Sequence, residues 1–256
     1  MVLAAGYGTR LKPLTDALPK PLVPVAGRPM IDYALEKLQA YGVGKIVINV
    51  SHLKDQLVEH LATKKNLTIQ ISEETEPLET GGGLKQAQSL LGNDPVFVIN
   101  SDIIWTDKRW GEAPDEPSSP QAAREDARPT KDFKSAQETA LERLARQWDD
   151  DKMDFLLLAQ PKSRAVGHDK GEDHLYIKRE NTIGWNDTDA PYIIAGIYIF
   201  HPRVLRSAPD GKFSVKILWH RALAQNRLFC LPHLGRWFQA GTLEDIKKAE
   251  ELLKLT

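Results

Sequence analysis

The strongest constraint on the fold is an alternation of short apolar runs with amphipathic stretches through the first hundred residues. Apolar runs rich in β-branched residues lie at residues 2–5, 45–50, 67–71 and 96–99, and such runs are typical of buried strands. Strands that alternate with helices form βαβ units, in which the strands run parallel. The sequence therefore predicts an α/β protein with a largely parallel sheet.

Helices are predicted wherever apolar side chains recur at intervals of three or four residues. Residues 29–41 carry such a stripe, with Pro29 in the first turn and Gly42 just past the end, as helix termini favour. Thr242 precedes the last predicted helix and can cap it, because its hydroxyl accepts a hydrogen bond from the first turn. The other stripes begin at Leu53, Leu84, Leu141 and Leu243.

The composition changes sharply after Asp107. Residues 108–134 scatter four prolines among charged and small polar residues and have no apolar period, which predicts a flexible insertion. Apolar runs at residues 155–159 and 192–200 predict further strands. We expect one domain over residues 1–256, made of a first half (1–107), the insertion, and a second half (135–256) that carries the antiparallel and irregular parts.

Charge and composition exclude several classes of protein. The chain has 34 Lys and Arg against 35 Asp and Glu, so it lacks the basic field that binds nucleic acid. No stretch approaches the roughly 20 apolar residues of a membrane span, and the first residues do not resemble a signal peptide. We therefore expect a cytoplasmic protein without a membrane or nucleic-acid partner. Cys230 is the only cysteine, which rules out a disulfide within the chain and a cysteine zinc cluster.

A glycine-rich loop, Gly-Tyr-Gly-Thr at residues 6–9, directly follows the first predicted strand. Glycines let backbone N–H groups approach an anion closely. A dinucleotide fingerprint requires a glycine where Leu11 stands, and the Gly-Lys-Ser/Thr of a P-loop is absent. A plain turn without a ligand is the alternative for the loop alone. Arg10 and Lys20 flank it, and cationic side chains of these two types bind phosphate, so we favour a phosphate site.

Two residues outside the loop complete the candidate chemistry. Lys20 stands between two prolines, which stiffen the backbone around a single cation. Asp102 ends the apolar strand at residues 96–99, and a carboxylate at the carboxyl end of a central strand points into the crevice where α/β proteins bind ligands. An aspartate that only caps a turn is the alternative. Asp107 is a weaker candidate.

The opening of the chain closely resembles the sugar-phosphate nucleotidyltransferases. The resemblance lies in LAAGYGTRLKPLT at residues 3–15 and PKPLVPVAGRPMI at residues 19–31. It continues in EPLETGGG (76–83), NSD (100–102), AGI (195–197) and GT (241–242). The resemblance implies a Rossmann-like three-layer αβα sandwich with a mostly parallel mixed sheet. It also implies a nucleoside triphosphate and a sugar 1-phosphate as substrates, Mg²⁺ as cofactor, and a nucleotide sugar and pyrophosphate as products.

Within that family, EPLETGGG is most similar to the uridylyltransferases of N-acetylmuramic acid 1-phosphate. This similarity favours UTP and N-acetylmuramic acid 1-phosphate as substrates, a place in peptidoglycan recycling, and a monomer or homodimer. Mannose-1-phosphate guanylyltransferases are close relatives and give one alternative. A regulatory relative that binds nucleotide sugars without turnover gives another. A pyrophosphate-release assay separates these possibilities.

The resemblance also implies roles for individual residues. Arg10 would stabilise the leaving pyrophosphate, Lys20 would meet the α-phosphate, and Asp102 would bind Mg²⁺. Thr80 and the glycines after it would precede a helix and place backbone groups beside the base, a flexible helix start being the alternative. The nucleotide-binding set is Leu3, Ala4, Ala5, Gly6, Gly8, Thr9, Thr80, Gly81 and Gly82. The sugar-binding set is Asn100, Gly171, Asp173 and Gly196, of which Asp173 could equally be surface loop.

One residue departs from the family pattern. A Trp-x-Asp-x-Gly-Thr segment near the C-terminus commonly brings a second carboxylate to the metal, but this chain has Trp-Phe-Gln-Ala-Gly-Thr at residues 237–242. Gln239 offers a neutral oxygen in place of that charge. We therefore expect a metal site formed by Asp102 and Gln239, in which a complete two-metal arrangement is in doubt.

Overall fold

The computed structural model describes residues 1–107, 138–168, 174–178, 181–185 and 190–254. The predicted insertion at residues 108–134 lies outside these ranges, as do Gly171 and Asp173. The helices are α1 (Leu14–Ala17), α2 (Met30–Tyr41), α3 (Lys54–Ala62), α4 (Glu79–Gln86), α5 (Gln88–Leu91), α6 (Ala140–Gln147), α7 (Lys216–Ala224) and α8 (Leu243–Leu253). None of these described helices is long and apolar enough to cross a membrane.

The strands form one large sheet and two small ones. They are β1 (Val2–Leu3), β2 (Pro24–Val25), β3 (Arg28–Pro29), β4 (Ile46–Val50), β5 (Ile69–Glu73), β6 (Val96–Asn100), β7 (Ile103–Trp105), β8 (Phe155–Pro161), β9 (Ala165–Val166), β10 (His174–Ile177), β11 (Ile183–Trp185), β12 (Tyr192–Phe200), β13 (Leu228–Pro232) and β14 (Trp237–Gln239). The large sheet has the order β11-β10-β12-β6-β1-β4-β5, and β8 pairs with both β12 and β13.

The first half of the chain builds the parallel part of the large sheet. β1 lies between β4 and β6 and is parallel to both, with Val2 opposite Ile48 and Ile99. β5 extends the same parallel set beside β4. Because parallel strands end at the same edge of a sheet, the residues after β1, β4 and β6 lie together. This edge is where the candidate site forms.

The second half adds antiparallel strands. β12 runs antiparallel to both β6 and β8, whereas β13 is parallel to β8. One face of the large sheet packs on α2, α3 and α6, and the opposite face packs on α4, α5 and α7, each through its own hydrophobic cluster. The predicted α/β fold, with a mixed sheet between two helical layers, is confirmed.

Most of the predicted elements occur near their predicted places. α2 begins at Met30, one residue later than predicted, and Gly42 ends it in the left-handed conformation with φ 89°. Thr242 caps α8 as predicted, since its hydroxyl accepts from Asp245 N at 3.2 Å. Several predictions are wrong in detail. The first strand ends at Leu3 rather than at residue 5, and the helix whose apolar stripe begins at Leu84 is divided between α4 and α5. The strand expected at residues 67–71 is β5, two residues later, and the Thr-Gly-Gly-Gly stretch lies inside α4 rather than before a helix.

Candidate active site

The loop after β1 is fixed by neighbouring strands. Ala4 N donates to Asn49 Oδ1 at 2.8 Å, and Leu3 O accepts from Ser101 N at 3.0 Å. Gly8 adopts φ 65°, and a Cβ there would lie 2.8 Å from Lys20 Cβ. Glycine is therefore required at this position, both for the backbone conformation and for the close approach of Lys20.

Lys20 and Asp102 form a tight ion pair at the sheet edge. Lys20 Nζ lies 2.6 Å from Asp102 Oδ2, and the two side chains are only 16% and 12% exposed. Burial by itself raises the pKa of the Asp102 carboxyl, but the Lys20 ammonium and hydrogen bonding from Gln239 outweigh it, so the pKa lies below its usual value. Asp102 is therefore held ionised, and a cation already faces it.

Gln239 reaches this pair from the C-terminal part of the chain. β14 runs antiparallel to β7 with Gln239 opposite Ile103, and Ala240 N donates to Asp102 O at 2.9 Å. The structure therefore brings together two predicted metal-site residues that are 137 positions apart in the sequence.

Two adjoining cavities open beside the ion pair. The first has a volume of about 200 Å³ and the second about 230 Å³, and both are lined by Thr80 and Asn100. The first cavity is lined by Leu3, Ala4, Ala5, Gly6, Lys20, Pro21, Asn49, Glu74, Pro77, Glu79, Thr80, Asn100, Ser101 and Asp102. The second is lined by Thr80, Asn100, Ile103, His168, Ile194, Gly196, Tyr198, Ser214, Val215, Lys216, Trp219, Trp237 and Gln239.

Several predicted site residues do not line either cavity. Gly8 and Thr9 lie further along the loop, and Arg10 is exposed, with its guanidinium carbon 3.3 Å from where a Cβ on Gly241 would lie. Arg10 thus lies against the backbone that leads into α8.

The glycines of α4 serve close packing. Gly81 N and Gly82 N both donate to Phe213 O at 3.0 Å, so these backbone donors are engaged within the protein. A Cβ on Gly81 would lie 2.3 Å from the Phe213 ring, and one on Gly82 would lie 2.4 Å from Gly211 O. Thr80, in contrast, lines both cavities, and its hydroxyl accepts from Val215 N at 3.1 Å.

The sequence analysis missed a buried polar pair in the first cavity. Asn49 Nδ2 donates to Glu74 Oε1 at 2.7 Å, and Glu74 Oε2 accepts from Leu78 N at 2.9 Å. Asn49 and Glu74 are only 3% and 2% exposed. Together with the bond from Ala4 to Asn49, they connect the loop after β1 to the segment that leads into α4. The one signal in the sequence was a polar residue inside the otherwise apolar strand β4.

Of the predicted sugar-binding residues, Asn100 and Gly196 lie side by side. Gly196 adopts φ 69° within an irregular part of β12, and a Cβ there would lie 2.9 Å from Asn100 Nδ2. Gly171 and Asp173 lie outside the described residues. The sequence had not singled out the aromatic side chains of the second cavity.

The sequence of this chain is similar to those of known enzymes. Residues 1–118 match the sequence model of the family described as nucleotidyl transferase. The N-acetylmuramate alpha-1-phosphate uridylyltransferase of Caulobacter vibrioides is 34% identical over 249 residues, which cover 94% of this chain and 90% of that protein. The chain belongs to the sugar-1-phosphate nucleotidyltransferases.

Two other proteins are similar to this chain in part of its sequence or in its fold. The mannose-1-phosphate guanyltransferase of Emericella nidulans is 49% identical over 109 residues, which cover 41% of this chain and 30% of that protein. The solved structure of an inositol-1-phosphate CTP transferase from T. maritima matches with a TM-score of 0.71 at 15% identity, covering 99% of this chain and 93% of that one. At 15% identity, this structural similarity shows only a shared fold.

Sugar-1-phosphate nucleotidyltransferases use a divalent metal. The residues at this site fit a metal ion that takes most of its ligands from the substrate. Within the described ranges, no three His, Cys, Asp or Glu side chains are grouped to hold a metal. Asp102 supplies one ionised carboxylate, and the amide N–H of Gln239 donates a hydrogen bond to it, so the Gln239 oxygen would have to turn toward a bound ion. Mg²⁺ commonly keeps several waters and binds through one or two carboxylates plus phosphate oxygens. One carboxylate with a triphosphate is sufficient for this chemistry.

Proposed function

We propose that this nucleotidyltransferase transfers UMP from UTP to N-acetylmuramic acid 1-phosphate. A phosphate oxygen of the sugar 1-phosphate attacks the α-phosphorus of UTP, and the bond from that phosphorus to the β-phosphate oxygen breaks. The products are UDP-N-acetylmuramic acid and pyrophosphate. The observation that carries the choice of substrates is the 34% identity to the Caulobacter uridylyltransferase over nearly the whole of both chains.

The arrangement of the two cavities supports this reaction. Under the proposal, the first cavity takes the nucleotide along the loop after β1, and the second takes the sugar. Thr80 and Asn100 line both, so the reacting phosphates would meet between them. Holding two anions in one orientation is a large part of catalysis in such transfers.

Three charged residues have distinct roles in the proposal. Lys20 binds the α-phosphate, for which it has to leave its contact with Asp102. Arg10, which lies beside Gly241, reaches the β- and γ-phosphates and stabilises the pyrophosphate as it leaves. Asp102 and Gln239 would hold Mg²⁺, which neutralises charge on the triphosphate when bound.

The test is a matrix of initial rates of pyrophosphate release. UTP, GTP, CTP and ATP are each paired with the 1-phosphates of N-acetylmuramic acid, N-acetylglucosamine, mannose and glucose. We expect the highest kcat/KM for UTP with N-acetylmuramic acid 1-phosphate. The Asp102→Asn variant, prepared identically, controls for contaminating enzymes.

One alternative has an observation in its favour. The identity to the Emericella guanyltransferase is higher, at 49%, although it covers only 109 residues. A higher kcat/KM for GTP with mannose 1-phosphate in the same matrix would establish that alternative. No pyrophosphate from any pair, together with calorimetric binding of a nucleotide, would indicate a relative without turnover.

A further inference from the structure

The buried polar pair, Asn49 and Glu74, joins two sides of the first cavity. Ala4 N donates to Asn49 Oδ1 at 2.8 Å, and Asn49 Nδ2 donates to Glu74 Oε1 at 2.7 Å. The other carboxylate oxygen, Glu74 Oε2, accepts from Leu78 N at 2.9 Å. Ala4 belongs to the loop after β1, and Leu78 immediately precedes α4. Three consecutive hydrogen bonds therefore hold these two segments at a fixed separation.

The segment that the pair holds on the α4 side has a strained backbone. Glu79, the first residue of α4, adopts φ 62°, a left-handed conformation that residues other than glycine seldom occupy. Such a conformation persists only where its surroundings fix it. Leu78 is fixed on both sides, because its N–H bonds to Glu74 and its carbonyl accepts from Phe213 N at 3.1 Å. Glu79 and Thr80 line the first cavity, so the pair helps to hold part of that lining in place.

The backbone of α4 packs directly on the pair. A Cβ on Gly83 would lie 2.7 Å from Glu74 Oε1 and 2.9 Å from Asn49 Nδ2. Asn49 and Glu74 are only 3% and 2% exposed, so a donor that loses its acceptor here has little access to water. Leaving a buried donor unpaired costs more than the net contribution of the hydrogen bond itself.

The chemistry of the two side chains follows a strict rule. Both ends of this chain of bonds are backbone N–H donors, so each side chain has to turn an oxygen outward. One proton then has to lie between the two side chains. An amide facing a carboxylate meets this condition, whereas two amides set N–H against N–H and two ionised carboxylates set oxygen against oxygen. The rule is satisfied equally well when the amide and the carboxylate exchange places.

We propose that Asn49 and Glu74 are positioning residues for the nucleotide, which fix the loop after β1 against the start of α4 so that the first cavity is preformed. The proposal rests on the proposed function only in that the first cavity takes the nucleotide, whichever base it carries. The pair acts through the segments that it joins and not on the reacting phosphates. Its loss should weaken binding in the ground state and the transition state alike, which raises KM and leaves kcat unchanged.

The test is a double-mutant cycle that exchanges the amide and the carboxylate. Glu74→Gln places two amides in the pair, and Asn49→Asp places two carboxylates there. In each single variant we expect the KM for UTP to rise roughly tenfold, the effect of one buried polar group left unpaired, with kcat unchanged. In the double variant Asn49→Asp/Glu74→Gln, the KM should return close to the wild-type value. The double variant has the net charge of the wild type, so a change of charge does not explain that recovery.

A matched control separates positioning from stability. Asp154 is also a buried carboxylate, 8% exposed, and lines neither cavity. Its Oδ1 lies 2.8 Å from Arg203 Nε and 3.0 Å from Arg227 Nε. Asp154→Asn should lower Tm, as the single variants of the pair should, but it should leave the KM for UTP unchanged.

The outcomes for the two proposals are distinct. A lowered Tm with an unchanged KM for UTP in both single variants would overturn this inference and leave the pair a structural role. A double variant with a KM no better than that of the single variants would also overturn it. If the single variants do not fold, the double variant decides, since it should fold and bind UTP as the wild type does. The same pattern in the KM for GTP, with UTP not used, would refute the proposed substrate and support the inference. A wild type that binds no nucleotide would overturn both proposals.

Discussion

Replacing Lys20 by methionine removes the cation from the ion pair at the centre of the site. Methionine is similar in length, so the change leaves no large cavity and mainly leaves Asp102 without its partner. Breaking a buried ion pair on one side typically costs about 3–5 kcal/mol. Since the two side chains are still 16% and 12% exposed, we expect about 3 kcal/mol, near the low end. For a chain of this length that is a fall in Tm of roughly 6–12 °C.

The pH dependence identifies the cause of that fall. In the wild type the folded pKa of Asp102 is lowered, so the pair stabilises the fold above the ordinary value of 3.8 and this stabilisation is lost as pH falls. Without the Lys20 ammonium, the effect of burial prevails and raises the pKa of the Asp102 carboxyl. The unpaired Asp102 carboxylate destabilises the variant, and its protonation relieves this as pH falls through the raised pKa. The difference in Tm between variant and wild type should therefore be largest near neutral pH and shrink in acid.

The assay is thermal unfolding followed by circular dichroism at about pH 7.5 and about pH 4.5. Lys12→Met is the matched control, because Lys12 and Asp16 form an exposed pair, 59% and 56% exposed, whose loss should change Tm by about a degree or less. An equal loss of Tm at both pH values, or a loss no larger than in the control, would refute the electrostatic account of the Lys20 contact.

Three further predictions concern catalysis, the metal and packing. Arg10→Ala should lower kcat by roughly 100-fold or more with little change in Tm, because Arg10 is exposed and supplies charge to the leaving pyrophosphate; steady-state kinetics and thermal unfolding check the two halves. Asp102→Asn should abolish Mg²⁺-dependent turnover, whereas Gln239→Asp should lower the Mg²⁺ concentration for half-maximal rate, as Mg²⁺ titrations will show. Gly81→Ala should lower Tm by several degrees, since its methyl would meet the Phe213 ring at 2.3 Å.

Elements fixed by local patterns were predictable from the sequence. α2 and its glycine cap follow from an apolar stripe and a position that favours positive φ, and both features belong to one continuous stretch of sequence. The meeting of the loop after β1 with Asp102 was also predictable, since parallel strands end at one edge. Only the resemblance to the family implied that Gln239, in the second half of the chain, lies at this edge of the sheet.

Features that depend on distant partners were not predictable in this way. Three consecutive glycines disfavour a helix by about 1 kcal/mol each relative to alanine, so a stretch of them before Leu84 indicates a loop. In the structure they lie in α4, because the helix packs on the backbone at Gly211 and Phe213 more closely than any Cβ would allow. Those partners are about 130 positions further along the chain. The pairing of Asn49 with Glu74 likewise joins two strand ends that no local pattern connects.

Phosphorus NMR during the reaction shows directly whether UMP is transferred to the sugar 1-phosphate. The enzyme is incubated with UTP, N-acetylmuramic acid 1-phosphate and Mg²⁺, with Asp102→Asn as the control. We predict that the two coupled resonances of a nucleotide-sugar diphosphate appear in equal amount with pyrophosphate, while the sugar 1-phosphate signal falls. Formation of UMP and pyrophosphate with the sugar 1-phosphate unconsumed, or no consumption of UTP, would show that the enzyme does not transfer UMP to this sugar.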